Sequence, residues 1–228
     1  MEKLSQQNNE RLLEYLMEFV SDNKKQLFEK IIEYRTRHIT VVLEDIFQPH
    51  NASAVLRSCD CFGIQDVHII ENNYNYEVNP DVALGSSKWL SLYKYSNKDN
   101  NTLSTFENLR KKGYKIVATT PHKNDCLLED LKLDQKTALV FGTELEGLSE
   151  TAIKHADAFV KIPMYGFTES FNISVSAAII LQNLTERLRN SDILWELSNH
   201  EKTEVKLSWV RNVIKRVDLI EKKFLKNS

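Results

Sequence analysis

Apolar positions recur at helical spacing near both ends of the chain and in short unbroken runs through its middle. Leu12, Leu16 and Phe19 share one face, followed by Phe28, Ile31 and Ile32. That periodicity predicts helix over residues 8–37, with a joint or cap at Asp22-Asn23. Toward the other end, Val205, Trp209, Val213, Val217, Ile220 and Phe224 form a second helical stripe, which needs a core or a partner to cover it. Between them, β-branched and apolar runs at 39–44, 67–70, 115–119, 137–141 and 158–162 predict buried strands, with a further strand at 90–95. Helices are expected over 52–62, ended by Gly63; over 102–112, with Gly113 as C-cap; over 149–155, behind Ser149 as N-cap; and over 171–189. Asp45 to Asn51 reads as a loop broken by Pro49 and Asn51, and 71–90 as polar and irregular. Short buried strands alternating with helices make an α/β domain with a mainly parallel sheet over 39–190, flanked by helical extensions at 1–38 and 191–228.

Composition narrows the class without naming a function. At 228 residues, 42% hydrophobic and 27% charged, the chain has ordinary globular values. The net charge of −2 gives no global sign of a polyanion binder, yet residues 201–228 carry eight Lys and Arg against four Asp and Glu. A basic end on an acidic body is either a solvated helix face or a surface for a polyanion. Cys59, Cys61 and Cys126 make no disulfide framework and suit a reduced, cytoplasmic setting. The first ten residues lack the apolar run of a signal peptide, and no run approaches the ~18 residues of a membrane span. Six scattered histidines show no metal-ligand spacing, so no metal is expected.

The informative chemistry lies where apolar runs break into polar loops. Val140–Ser149 reads VFGTELEGLS, and Ile162–Ser174 reads IPMYGFTESFNIS. Such breaks place backbone groups and small polar side chains at the C-terminal edge of a sheet, where open α/β folds bind ligands. Gly142 and Gly147 have the gap of a P-loop, but Leu148-Ser149 follows where Lys-Ser/Thr is required, and no Gly-x-Gly-x-x-Gly is present. With six glycines in all, no pyrophosphate cradle is expected; an adenosine with a sulfonium tail, which has no phosphate, meets that constraint. Asn51 and Arg57 stand six residues apart around a strand-to-helix loop. Asn51 is placed to cap the helix. Arg57 is either amphipathic or aimed at an anion.

Three segments taken together resemble a known family. Pro49–Ile64 (PHNASAVLRSCDCFGI), Leu139–Ser149 (LVFGTELEGLS) and the run from Ile162-Pro-Met through Glu169–Ala178 (ESFNISVSAA) are similar, in order, to the three motifs of the SpoU branch of the SPOUT superfamily, RNA ribose 2′-O-methyltransferases. Gly85-Ser-Ser-Lys-Trp89, the helical N-terminal region and the basic C-terminal helix look like the TrmH-type enzymes that act on the tRNA D-loop guanosine. The resemblance implies a deep C-terminal trefoil knot in the α/β domain, a homodimer with its site near the interface, and S-adenosylmethionine as methyl donor. It implies donor contacts at Thr119, Gly142, Ile162 and Phe171, where family members commonly have Leu at the position of Phe171. It places Arg57 at the ribose hydroxyl, as general base or as a clamp on phosphate and alkoxide, with Asn51, Glu144, Ser170 and Asn172 as the other polar catalytic positions. Glu146 matches a motif position without a defined role. The RNA partner is expected to be tRNA, with phosphate contacts from Arg11, Lys24, Lys25, Arg35, Arg37, Lys88, Arg211, Lys215 and Arg216. Two alternatives stay open: methylation of ribosomal RNA or another tRNA position, and a noncatalytic RNA-binding knot protein.

Overall fold

The computed structural model describes residues 6–46, 48–74, 85–97, 100–120, 126–143 and 146–226. They divide into two units, one from residues 36–195 and one from the two ends, 1–35 and 196–228.

The 36–195 unit is built on a parallel sheet. In chain order its strands are β1 (Ile39–Glu44), β2 (Asp66–Ile70), β3 (Ser91–Tyr95), β4 (Lys115–Thr119), β5 (Cys126–Leu127), β6 (Thr137–Phe141) and β7 (Ala158–Lys161). Among the described residues they lie in the order β3-β2-β1-β6-β4-β7-β5, every pair parallel. The helices of this unit are α3 (Pro49–Cys61), α4 (Asn101–Lys111), α5 (Glu150–His155) and α6 (Ile173–Arg189). Strands β1 and β6 are buried along their whole length, which is why they read as unbroken apolar runs rather than as alternating ones. Alternate residues serve the two faces. Val41, Leu43, Leu139 and Phe141 pack with α3 and α6 through Val55, Leu56, Ala177, Leu181 and Leu184. Val42, Ala138 and Val140 pack with Phe106 and Leu109 of α4 and Ala152 of α5.

The boundaries differ from expectation where local chemistry overrides pattern. Helix α3 begins at Pro49, three residues early. A proline in the first turn loses no hydrogen bond and brings a helical φ, so it starts this helix rather than breaking the chain. Asn51 therefore lies inside the first turn and is not the N-cap, a position held by Gln48. Helix α6 starts at Ile173, with Asn172 as its cap, so Phe171 precedes it. Strand β5 has two residues and no periodicity to announce it. Ser149 caps α5 as expected, accepting from the Ala152 amide.

In the other unit α1 (Gln6–Met17), α2 (Asp22–Ile32), α7 (Asn199–Val213) and α8 (Val217–Lys226) form a small helical assembly. The expected helix over 8–37 is two helices ending at Ile32. The C-terminal stripe is also two helices, because Arg216 takes a left-handed φ of 55° between them. Trp209 is 2% exposed. It lies against Phe28, with ring centroids 5.5 Å apart, and beneath the Arg35 guanidinium at 5.3 Å. The chain's own N-terminal helices thus cover the inner part of the stripe. A Ser198–Glu201 capping box starts α7, and Lys206 reaches Glu29 of α2 at 2.9 Å.

His68 on β2 is 1% exposed. It stacks on Tyr93 at 4.9 Å and bonds the Tyr95 hydroxyl at 2.9 Å. Burial first, then the Lys112 charge, pulls its pKa down from 6.5 to about 3. The folded state thus holds the ring neutral, whereas the unfolded chain takes up a proton below about 6.5. Its stabilising contribution is complete above that pH and is lost as pH falls toward 3. At pH 5 the expected loss from this group is about 2 kcal/mol. Melting curves of wild type and His68→Phe between pH 7 and 4.5 check this: the wild type should lose stability faster, and parallel curves would contradict it.

Candidate active site

Three chain breaks meet at the C-terminal edge of the sheet, beyond β4, β6 and β7. Together they line a cleft of about 380 Å³. Thr119 and Thr120 come from the end of β4, Phe141 to Thr143 and Glu146 to Leu148 from the loop after β6, and Lys161, Ile162, Met164 and Glu169 to Phe171 from the loop after β7. Ile173, Ser176 and Ile180 of α6 close one side. All four expected donor contacts, Thr119, Gly142, Ile162 and Phe171, stand on this wall, as does Ser170.

The loop after β6 is folded tightly on itself. Thr143 and Gly147 exchange backbone hydrogen bonds at 2.9 and 3.1 Å, and the Thr143 hydroxyl accepts from the Glu146 amide at 3.0 Å. Gly147 adopts φ 71°, a left-handed conformation that only glycine reaches cheaply. A Cβ on Gly142 would run into the carbonyl of Gly147. Two glycines thus let the loop close, for a reason unrelated to binding phosphate. Thr119 spends its hydroxyl on the Val140 carbonyl at 2.9 Å, tying β4 to β6. Its contribution to the cleft is therefore chiefly backbone.

A side-chain relay joins the first and third motif segments. The Asn172 Nδ2 donates to Asn51 Oδ1 at 3.1 Å, and Asn51 Nδ2 donates to Gln48 Oε1 at 3.0 Å. Asn172 Oδ1 meanwhile accepts from the Ser174 amide at 2.9 Å, which caps α6. Asn51 is buried at 4% exposure and acts here as a brace. Arg57 is exposed on α3 and is not part of the cleft wall of its own chain. Glu144 lies outside the described residues. Glu146, which had no defined role, lines the cleft, as does Glu169.

One residue that the sequence reading passed over ties this region together. Glu44, at the end of β1, is 2% exposed. Its carboxylate accepts from the Ser149 amide at 2.9 Å and hydroxyl at 2.8 Å, and from the Thr102 hydroxyl at 2.5 Å. A carboxylate closing a β-branched, largely apolar strand was the available signal.

The expected phosphate contacts need two corrections. Arg35 is 2% exposed and packs over Trp209, so its cation supports the helical unit and does not face RNA. Arg37 is paired with Asp66 at 3.2 Å, with only 16% of its side chain exposed. Arg11, Lys88, Lys215 and Arg216 are exposed, Lys24 is half-buried, Lys25 pairs with Asp22, and Arg211 pairs with Glu221 at 2.7 Å. Among the described residues no cluster of three His, Cys, Asp or Glu is placed to hold a metal, and no helix is long and apolar enough to cross a membrane.

A family model, that of the SpoU rRNA Methylase family, matches residues 38–182. The chain is 46% identical to the tRNA (guanosine(18)-2′-O)-methyltransferase of Borreliella burgdorferi, over 90% of this chain and 93% of that protein. It is 30% identical to the Aquifex aeolicus protein of the same name, over 90% and 95% of the two chains. The crystal structure of an A. aeolicus TrmH/SpoU tRNA modifying enzyme superposes with a TM-score of 0.75 at 28% identity, covering 85% of this chain and 98% of that one.

The loop geometry predicts that Gly142→Ala forces the turn open. Stability should fall by about 1–3 kcal/mol, the usual cost of overpacking, and the cleft should lose its shape. Thermal unfolding checks the first effect; a melting temperature equal to wild type would contradict the closed turn.

Proposed function

Because the chain belongs to the SpoU rRNA Methylase family, we propose that it transfers a methyl group from S-adenosylmethionine to the ribose 2′-hydroxyl of guanosine 18 in the D-loop of tRNA. The observation that carries this reading is its similarity, along nine-tenths of its length, to the Borreliella enzyme of that activity.

The cleft suits the donor. Its volume falls at the lower end of the usual range for small-molecule sites. Among its described lining residues one lysine, Lys161, stands against two carboxylates, Glu146 and Glu169. A triphosphate would meet no basic cradle there, whereas a ligand carrying sulfonium and ammonium cations meets opposite charge. When bound, the donor supplies an electrophilic methyl group. The protein's task is to hold that methyl in line with a weak nucleophile, which is mostly a matter of positioning. Phe141, Ile162 and Ile173 provide an apolar seat, and Gly142, Thr143 and Gly147 offer backbone edges to the adenosine. Phe171 stands where the family resemblance implies Leu, a change that a backbone contact to the donor survives.

Arg57 acts on the ribose and its phosphate. A guanidinium is normally a donor only, and its fork suits a phosphate oxygen and a developing alkoxide together, so the clamp role is favoured over general base. Its absence from the cleft wall of its own chain supports a homodimer in which the site lies near the interface. Exposed Phe171 and Val175 beside the cleft provide apolar surface for such an interface. The trefoil knot belongs to the same proposal, as do Glu144 and Ser170 as polar groups around the target nucleotide. Arg11, Lys24, Lys25, Lys88, Arg211, Lys215 and Arg216 are proposed as phosphate contacts. Three free cysteines, one of them exposed, are in keeping with a cytoplasmic enzyme.

Incubation with labelled methyl donor and either total tRNA or ribosomal RNA, followed by mapping of the labelled ribose, tests the assignment. Label is expected at the D-loop guanosine of tRNA. Label confined to ribosomal RNA, or none at all, would overturn it. Arg57→Ala should lower turnover by at least about 10²-fold while leaving donor affinity within a few-fold of wild type. For RNA binding, Lys215→Gln with Arg216→Gln should weaken tRNA association and reduce the slope of log affinity against log salt by about 1.5; an unchanged slope would remove these two residues from the interface.

A further inference from the structure

We propose that Glu44 is a positioning residue for the methyl-donor site, acting through Ser149 on the loop that follows β6; the inference rests on the methyl-transfer reading above. Register puts Glu44 where it can do this. Leu43 pairs with Phe141, so Glu44 stands beside Gly142, the first residue of the loop. From there its carboxylate reaches over to the loop's other end and accepts both the amide and the hydroxyl of Ser149. The sheet ladder fixes where the loop begins, and Glu44 fixes where it ends. Between those points lie Gly142, Thr143, Glu146, Gly147 and Leu148, which line the cleft.

The chemistry at Glu44 calls for acceptors on both oxygens. Its described partners are the Ser149 N–H, the Ser149 O–H and the Thr102 O–H, all donors. A carboxylate is acceptor-only and satisfies all three; a glutamine in the same shape turns an N–H₂ group toward one of them. Ser149 is committed as well, because its hydroxyl donates to Glu44 and accepts from the Ala152 amide at 3.0 Å. Rotating that hydroxyl away therefore uncaps α5. The far side of the carboxylate is also held. Thr102 accepts from Asn72 Nδ2 at 3.0 Å, and Asn72 accepts from the Asn101 amide at 3.1 Å and donates its own amide to Asp45 at 2.7 Å. Glu44 thus sits between the start of α4 and the loop, with the chain after β2 bonded behind it. Burying a carboxylate is costly unless its oxygens are satisfied, and this network satisfies them where the far end of the donor loop is tied down.

The test uses the full chain. Donor affinity of wild type, Glu44→Gln, Ser149→Ala, Thr102→Val and the Glu44→Gln/Ser149→Ala pair is measured by calorimetry with S-adenosylmethionine alone, and amide exchange is followed over 146–149. Methyl transfer to tRNA gives KM for the donor and kcat separately. Glu44→Gln is expected to weaken donor binding and raise its KM about tenfold, with kcat at saturating donor within twofold and faster amide exchange in the loop. Ser149→Ala should do most of the same, the double variant should be no worse than Glu44→Gln, and Thr102→Val should do less. A Glu44→Gln protein that melts earlier but binds the donor as wild type does would overturn the proposal, and so would additive effects in the double variant. If Glu44→Gln fails to fold, the exposed Ser149 decides: unchanged donor affinity in Ser149→Ala overturns it. A wild type that binds no donor would bring down the methyl-transfer reading and this inference with it, whereas normal wild-type binding with insensitive variants sinks this inference alone.

Discussion

The parallel ladder between β1 and β6 is the constraint on which the site depends. It sets Leu43 opposite Phe141, and by doing so brings the loop after β6 alongside the start of the segment that leads to α3. A slip of one residue would turn Leu139 and Phe141 away from α3 and α6, put the smaller Ala138 and Val140 in their place, and carry Gly142 away from Glu44. The burial of both strands on both faces makes that slip prohibitive. The loops are therefore positioned by two fully buried, paired strands, which is the usual way a scaffold lends precision to a binding edge.

Around that ladder the polar groups do two separate jobs. One set closes the loops on themselves: the Thr143–Gly147 backbone pair, the Gly147 turn and the Ser149 cap. The other set joins loops that are distant in sequence. Asn51 and Asn172 are 121 residues apart and share a hydrogen bond, and Glu44 and Ser149 are 105 apart and share two. The cleft between them has its shape maintained from behind, so few of its described lining side chains are needed to hold it open. This gives a physical account of why the donor pocket shows so little recognisable chemistry when its lining is read residue by residue.

Much of the sheet was legible in the sequence, because doubly buried parallel strands leave runs such as Ile39–Glu44 and Thr137–Phe141 that no helix of that length would need. The cap at Ser149 was legible for the same kind of local reason; at the end of α4 the C-cap is Lys112, and the expected Gly113 follows it with a left-handed φ of 85°. What periodicity misjudged followed from context. Pro49 looked like a breaker but starts α3. The two-residue β5 has too few positions to show a pattern. The bend at Arg216 is made by a residue type that rarely takes left-handed φ. At the site, the lining residues Thr119, Gly142, Ile162 and Phe171 were reached through the motif resemblance rather than through spacing. Asn51 and Asn172 were named, but their mutual bond was not, since nothing in a linear chain shows which side chains meet across 121 residues. Arg35 and Arg37 were misread because charge alone cannot tell a cation that faces solvent from one laid over Trp209 or paired with Asp66.

Asn172 splits its amide between two tasks, capping α6 with its oxygen and bonding Asn51 with its nitrogen. Aspartate would keep the cap and lose the donor. Serine would keep the cap and fall short of Asn51. Glutamine would carry both groups too far from the backbone to cap. The position has, in effect, a one-letter alphabet, imposed by hydrogen-bond polarity and side-chain length before any contact with substrate is considered.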